Sequence, residues 1–297
     1  MTAAAEPPRP ADRPGLAALW MIGAILSFAA MAVGGRELSA ELDTFEIMAY
    51  RSAIGFPIVA AMLLRAEGWR GALTRQPERH ALRNVIHFTA QNFWFYGVAA
   101  IPLAQLVALE FTNPIWVALL APLMLGERLT GWKLLAAGLG FGGVLLIAQP
   151  GVAPLELGDA AGLGAALGFA LTNMLTKGLM REDSMLCVLF WMTFSQLLMG
   201  VVFALPGGVP WVSPPLQPWL LFVGVCGLSA HFSLTRALSL ADASIVAPME
   251  FGRLPVIAAA GMLLYGEPLT LALLLGAALI LAGNMANLLA GRARRGA

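Results

Sequence analysis

Apolar residues run through this chain in long stretches separated by short polar links, without the strict alternation that marks a half-buried strand. About 20 consecutive apolar residues in helical form cross about 30 Å of hydrocarbon. Such stretches recur near 16–35, 45–65, 80–99, 103–123, 131–148, 159–179, 186–205, 217–237, 243–264 and 270–290. Segments this long satisfy their backbone groups in lipid only as helices, so the pattern predicts an all-α polytopic membrane protein of ten transmembrane helices. The longest link, Glu67 to Arg79, is too short for a separate soluble domain.

The pattern also repeats. Glu110-Phe111 and Gly126-Glu127-Arg128-Leu129-Thr130 return 140 residues later as Glu250-Phe251 and Gly266-Glu267-Pro268-Leu269-Thr270. A weaker echo at an offset of 141 sets Ser27-Phe28-Ala29 against Gly168-Phe169-Ala170, and Arg36 against Lys177. Five helices per half is an odd number, so the second half enters the membrane from the opposite side and the repeat is inverted. Charge agrees, because arginine and lysine in short loops stay on the cytoplasmic side. With a cytoplasmic N-terminus, Arg9, Arg13, Arg65, Arg70, Arg75, Arg79, Arg83, Arg128, Lys133, Lys177, Arg181, Arg236, Arg292, Arg294 and Arg295 fall inside, and Arg36 alone falls outside. Arg128 and Lys133 of the first Gly-Glu turn become Pro268 and Leu273 in the second. The expected organisation is a disordered cytoplasmic tail over 1–15, a first repeat over 16–150, an inverted second repeat over 151–290 and a basic cytoplasmic tail over 291–297. Both termini are expected on the cytoplasmic side of a bacterial inner membrane.

Composition narrows the function classes. Of the 297 residues, 59% are apolar and 12% charged, against about 25% charged in soluble domains. A net charge of +1 gives no electrostatic case for nucleic acid; the expected partners are the lipid bilayer and a small molecule. The oligomeric state stays open, and a monomer is compatible with the sequence. Cys187 and Cys226 have neither pairing nor metal spacing and read as packing residues; no metal or cofactor is expected. Gly138-Leu139-Gly140-Phe141-Gly142-Gly143 formally matches the dinucleotide fingerprint, but it lies inside a membrane span, where glycines serve close helix contact. Gly158, Gly162, Gly164 and Gly168 invite the same packing explanation. Walker, HExxH and nucleophile-elbow motifs are absent from the sequence, so ATP-driven transport and the familiar hydrolases lack their machinery.

Ten helices in two five-helix repeats, with Glu-Phe in the fourth helix and a Gly-Glu turn before the fifth of each, resemble the EamA-type members of the drug/metabolite transporter superfamily. Within it the chain looks most like the bacterial exporters of aromatic and other amino acids. The resemblance implies a basket of helices around a central cavity, made chiefly by the first four helices of each repeat, with the fifth and tenth as outer support.

Ionisable groups within a bilayer are costly and usually face a cavity or a partner. Glu110 and Glu250 lie at symmetric depths near the midplane. Arg253 follows Glu250 at i+3, on the same helix face, which permits a Glu250–Arg253 pair, either a self-satisfied bridge or part of the substrate site, and leaves Glu110 without a basic neighbour. Pro114 and Pro255 are expected to kink their helices and free the carbonyls of Glu110 and Phe251. Asn113 beside Pro114, like Arg253, marks a departure from symmetry. On the third helix His87, Gln91, Trp94 and Phe95 share one face; the repeat equivalents of Gln91 and Phe95 are His231 and Thr235. Such groups suit an amino acid with a polar end and an apolar side chain, and they equally serve as interhelical glue. Tyr50 and Arg51 reach the cavity from the second helix in this reading, with Arg51 for a substrate carboxylate unless it snorkels outward. Trp20, Trp116 and Trp191 are candidate aromatic walls or interface anchors.

The function expected from these features is export of amino acids, aromatic and other, by alternating access between the halves. A same-fold transporter of another metabolite or drug is the alternative. An intramembrane enzyme is a remote rival, since the polar residues divide between symmetric halves instead of clustering in one motif.

Overall fold

The computed structural model describes residues 13–125, 131–149, 156–208, 210–241, 246 and 249–295. All regular structure among them is helical: α1 (Pro14–Leu38), α2 (Thr44–Ala66), α3 (Pro77–Ala100), α4 (Leu103–Glu110), α5 (Asn113–Leu125), α6 (Gly131–Ala148), α7 (Leu157–Leu179), α8 (Met185–Ala204), α9 (Gln217–Leu240), α10 (Arg253–Tyr265) and α11 (Leu271–Arg295). Five spans among the described residues are long and apolar enough to cross a membrane by composition: α1, α2, the joined α4–α5, α8 and α9. The tail up to residue 12 and the turn at 126–130 lie outside the described residues.

Local signals set the ends. Pro14 and Pro77 begin α1 and α3, where the missing N–H costs nothing. Asp43 and Glu46 form a capping box at α2, with bonds of 2.8 and 2.7 Å. Gly266 closes α10 with φ of 66°, the left-handed geometry that favours glycine.

The two halves interlock by exchange. α1 packs along α9 and α3 along α7, while α2 meets its equivalent α8, α6 meets α11 and α4 meets α10. Swapping the halves maps this set of pairs onto itself, as an inverted repeat requires. The closest crossings use glycine in place of side chains. A Cβ on Gly143 would lie 2.4 Å from the Gly276 carbonyl oxygen, and one on Gly168 would lie 2.6 Å from the Ala90 Cβ. Of the glycines in the false dinucleotide motif, Gly140 and Gly143 thus serve helix contact, while Gly138 faces open space.

Helix α3 is polar inside and apolar outside. His80, Arg83, Asn84, His87, Gln91 and Asn92 are buried, whereas Leu82, Val85, Phe93 and Tyr96 are exposed. That arrangement suits a helix whose outer face meets lipid and whose inner face lines a polar space.

Spans four and nine are broken, and the prolines act differently from simple kinks. α4 ends at Glu110 and α5 begins at Asn113, so Pro114 stands in the first turn of a new helix. Pro255 likewise stands in the first turn of α10, after a 3₁₀ turn at Glu250–Gly252. At first-turn positions a missing N–H is tolerated. The carbonyl supplied with a distant partner is that of Phe111, which accepts from Asn284 Nδ2 at 2.7 Å.

Candidate functional site

A cavity of about 640 Å³ lies between the halves. Its lining reaches from mid-span to the membrane face where α1 begins: Met21 to Met31 on α1, Arg83 to Trp94 on α3, Phe169 to Met180 on α7. Glu110, Asn113 and Pro114 enter from the break in span four, and Glu250 and Arg253 from the break in span nine. His231 and Thr235 enter from α9. Broken spans put helix ends and irregular backbone at mid-membrane depth, which is tolerated where they line a cavity.

At the centre, Arg253 Nη2 donates to Glu110 Oε1 at 2.6 Å, and Trp94 Nε1 donates to Glu110 Oε2 at 2.9 Å. The Glu250–Arg253 bridge that the spacing permits does not form: Arg253 crosses to the other half, and Glu110 is the paired carboxylate. Helix dipoles explain the choice. Glu110 ends α4, where negative charge is disfavoured, and Arg253 begins α10, where positive charge is disfavoured, so each compensates the other. The Arg253 guanidinium also lies 5.1 Å from the ring centroids of both Phe28 and Phe111.

Around this pair are buried groups with unpartnered atoms: both ring nitrogens of His87, Nε2 of His231, Oγ1 of Thr172 and Oδ1 of Asn284. Such orphans beside a cavity are donors and acceptors ready for a ligand or water. Aromatic rings stand next to them, Phe28 at 5.4 Å from His231 and Phe169 at 5.8 Å from His87.

Of the sequence candidates, His87, Gln91, Trp94, Glu110, Asn113, Pro114, His231, Thr235, Glu250 and Arg253 line this cavity. The others do not. Phe95 is buried in the core, edge-on to Trp94 at 5.1 Å. Tyr50 turns away and donates to the Pro210 carbonyl at 2.6 Å. Trp191 donates to the Ala72 carbonyl at 2.9 Å, tying α8 to the α2–α3 link. Trp20 packs on Phe232 and Trp116 on Phe141, and Pro255 is exposed. Arg51 neither reaches the cavity nor snorkels outward: it stays buried and donates to Gln91 Oε1 at 3.0 Å, behind the cavity wall.

Sequence reasoning missed Thr172, Asn173, Thr176 and Asn284 and counted Arg83 only as an inner-face charge, yet all five are on the lining. Asn284 belongs to the tenth span, which the resemblance cast as outer support. Phe28 and Phe169 carried a signal, since they occupy the weaker echo at offset 141. Cys187 is also less solitary than its spacing suggested. With His80 and Asp183 it brings three ligand-type atoms within 4.8 Å of one another, although Asp183 already accepts from His80 and Thr74. Replacing Asn284 with leucine strands the Phe111 carbonyl, so a loss of about 1–3 kcal/mol is expected, read as a lowered thermal midpoint of the purified protein.

The far end of the cavity is shut. Arg36 at the end of α1 pairs with Glu267 at 3.1 Å and also donates to the carbonyls of Val98 and Ile101. Glu267 Oε2 accepts from the Leu103 amide at 2.8 Å, which caps α4. Tyr265 donates to Glu37 at 2.7 Å. On the same face, hydrogen bonds from Ser213 hold the Glu41 carboxyl below its ordinary range.

Two interlocked helical halves around a central cavity that carries polar groups among apolar and aromatic ones, open at one face and latched at the other, define a membrane transporter. The EamA-like transporter family model matches residues 15–149 and 156–289, so the chain belongs to that family. It is 29% identical over 275 residues to a riboflavin transporter of Rhizobium johnstonii, covering 92% of this chain and 91% of that protein. It is 26% identical over 250 residues to an S-adenosylmethionine uptake transporter of Rickettsia bellii, covering 84% of each. A solved crystal structure at 20% identity superposes with a TM-score of 0.63 over 93% of this chain and 97% of that one, which is a likeness of fold alone.

Proposed function

We propose that this protein carries an uncharged, planar ring compound rich in hydrogen-bonding groups, of the riboflavin kind, across the bacterial inner membrane by alternating access between its halves. The observation that carries this reading is the Glu110–Arg253 pair. The two charges best placed at the centre neutralise one another, and apart from Glu250 what remains open to a ligand beside them is neutral: imidazole, amide and hydroxyl next to Phe28, Phe111, Phe169 and Trp94. Buried polar groups that need partners reject ligands lacking the matching groups, and aromatic faces stack on flat rings. The riboflavin transporters among the relatives agree with this class of cargo.

Export of amino acids is the second reading. Arg83 near the open end and Glu250 deeper in are charged lining groups that form no described ion pair, and they suit a carboxylate and an amine. In either case we infer repeats over 16–150 and 151–290 and cytoplasmic termini, from the duplicated motifs and the arginine bias.

The test is flux in proteoliposomes of both orientations, with labelled riboflavin, S-adenosylmethionine, phenylalanine and tryptophan. Riboflavin flux is expected, with little flux of the amino acids. Amino-acid flux without riboflavin flux establishes the second reading, and turnover of cargo without translocation defeats both.

A further inference from the structure

A second hollow of about 340 Å³ lies beside the central cavity, between α2, α8 and α9. Its outer rim is lipid-facing: Ile58, Met62, Val225 and Phe232 on these membrane-spanning helices are 39–46% exposed. Gly55, Gly224 and Gly227 belong to its lining, and at the inner floor a Cβ on Gly227 would lie 2.9 Å from Arg51 Nε. The walls are aliphatic, from Val59, Leu186, Leu189 and Leu228 among others.

The floor has a different chemistry. Arg51 is 7% exposed, and its described polar partners are Gln91 and the sulfur of Met48. Among the described residues no carboxylate lines the hollow, and no described ion pair includes Arg51. Two further lining groups are more than nine-tenths buried and unpartnered: Ser52 Oγ and Gln196 Nε2. A guanidinium, an amide N–H and a hydroxyl are all donors, and all three belong to the lining of an otherwise largely apolar slot. Buried charge and buried donors of this kind call for an acceptor, best an anionic one.

The geometry points to a binding site for a single-chain anionic amphiphile, a fatty-acid-like monocarboxylate that enters from the bilayer. Its carboxylate accepts from Arg51, Gln196 and Ser52, and its alkyl chain fills the slot between Ile58, Leu189 and Val225. This site is separate from the one that carries cargo. His231, Leu189 and Met192 line both spaces, and Arg51 donates to Gln91 on the cavity side, so a ligand in the slot touches side chains that shape the cargo cavity.

The experiment uses the full-length transporter in nanodiscs and a palmitate analogue with a photoreactive diazirine in its tail, with labelled peptides mapped by mass spectrometry. Labelling is expected to concentrate on α2, α8 and α9. Saturated monocarboxylates whose chains fit the slot should compete, while the methyl ester of the same acid competes at least tenfold more weakly. Val225→Trp, which fills the rim from the lipid side, should remove the labelling from these helices while cargo flux persists. Arg51→Gln should bring acid and ester to equal potency. Labelling spread evenly over all lipid-facing helices, or acid and ester equal in the unmodified protein, overturns the assignment. Competition by a phosphodiester lipid but not by the free acid also overturns it.

Discussion

Replacing Arg253 with methionine is expected to stop transport and to destabilise the fold by about 3 kcal/mol, the lower end of the range for stranding one member of a buried ion pair. The lower end applies because the pair borders a cavity, with side chains 11% and 13% exposed. Glu110→Gln should do comparable damage. Glu250→Gln should do much less, because Glu250 has no described bridge to Arg253. The combination Glu110→Gln with Arg253→Gln removes both charges, and its midpoint should recover part of the loss. Thermal unfolding in detergent, with liposome flux of the surviving variants, reads all of this. If Glu250→Gln proves the damaging change and Glu110→Gln is silent, the pair across the halves is wrong and the local i+3 pair is right.

Glu267→Gln should open the far end. The carboxylate holds Arg36 from α1 and the first amide of α4 together, and hydrogen bonds to charged groups contribute about 1.5–3 kcal/mol each. Losing even one such contribution shifts the balance between cavity openings about tenfold or more. A single cysteine at position 235, with Cys187 and Cys226 replaced by serine, reports the shift. Its labelling by a membrane-impermeant thiol reagent from the latched face should speed up about tenfold in the Glu267→Gln background. An unchanged rate removes Glu267 from the latch.

These outcomes divide along a line visible in the chain itself. The spans were legible because hydrocarbon imposes a length and an apolarity that few sequences meet by accident. The structure places helices at 14–38, 44–66, 131–148 and 157–179, each within a few residues of the apolar runs. The breaks were half legible: Pro114 and Pro255 marked the right places, but a kink and a restart read alike in sequence. The polar face of α3 was legible at His87, Gln91 and Trp94 because helical spacing fixes which residues share a face. That spacing says nothing of how far along the face a cavity reaches, so Phe95 fell into the core and Arg83 was overlooked as a lining residue.

By itself, then, the sequence determined that this is an all-helical membrane protein of two related, inverted halves, with carboxylates and aromatics at mid-span. The tertiary structure alone decided which of those groups meet. Arg253 has a carboxylate three residues away and chooses one 143 residues away, and Asn284 caps a carbonyl 173 residues away. Partners so distant are selected by how whole helices cross and where helix ends leave charge uncompensated, and neither is written in any local stretch of residues.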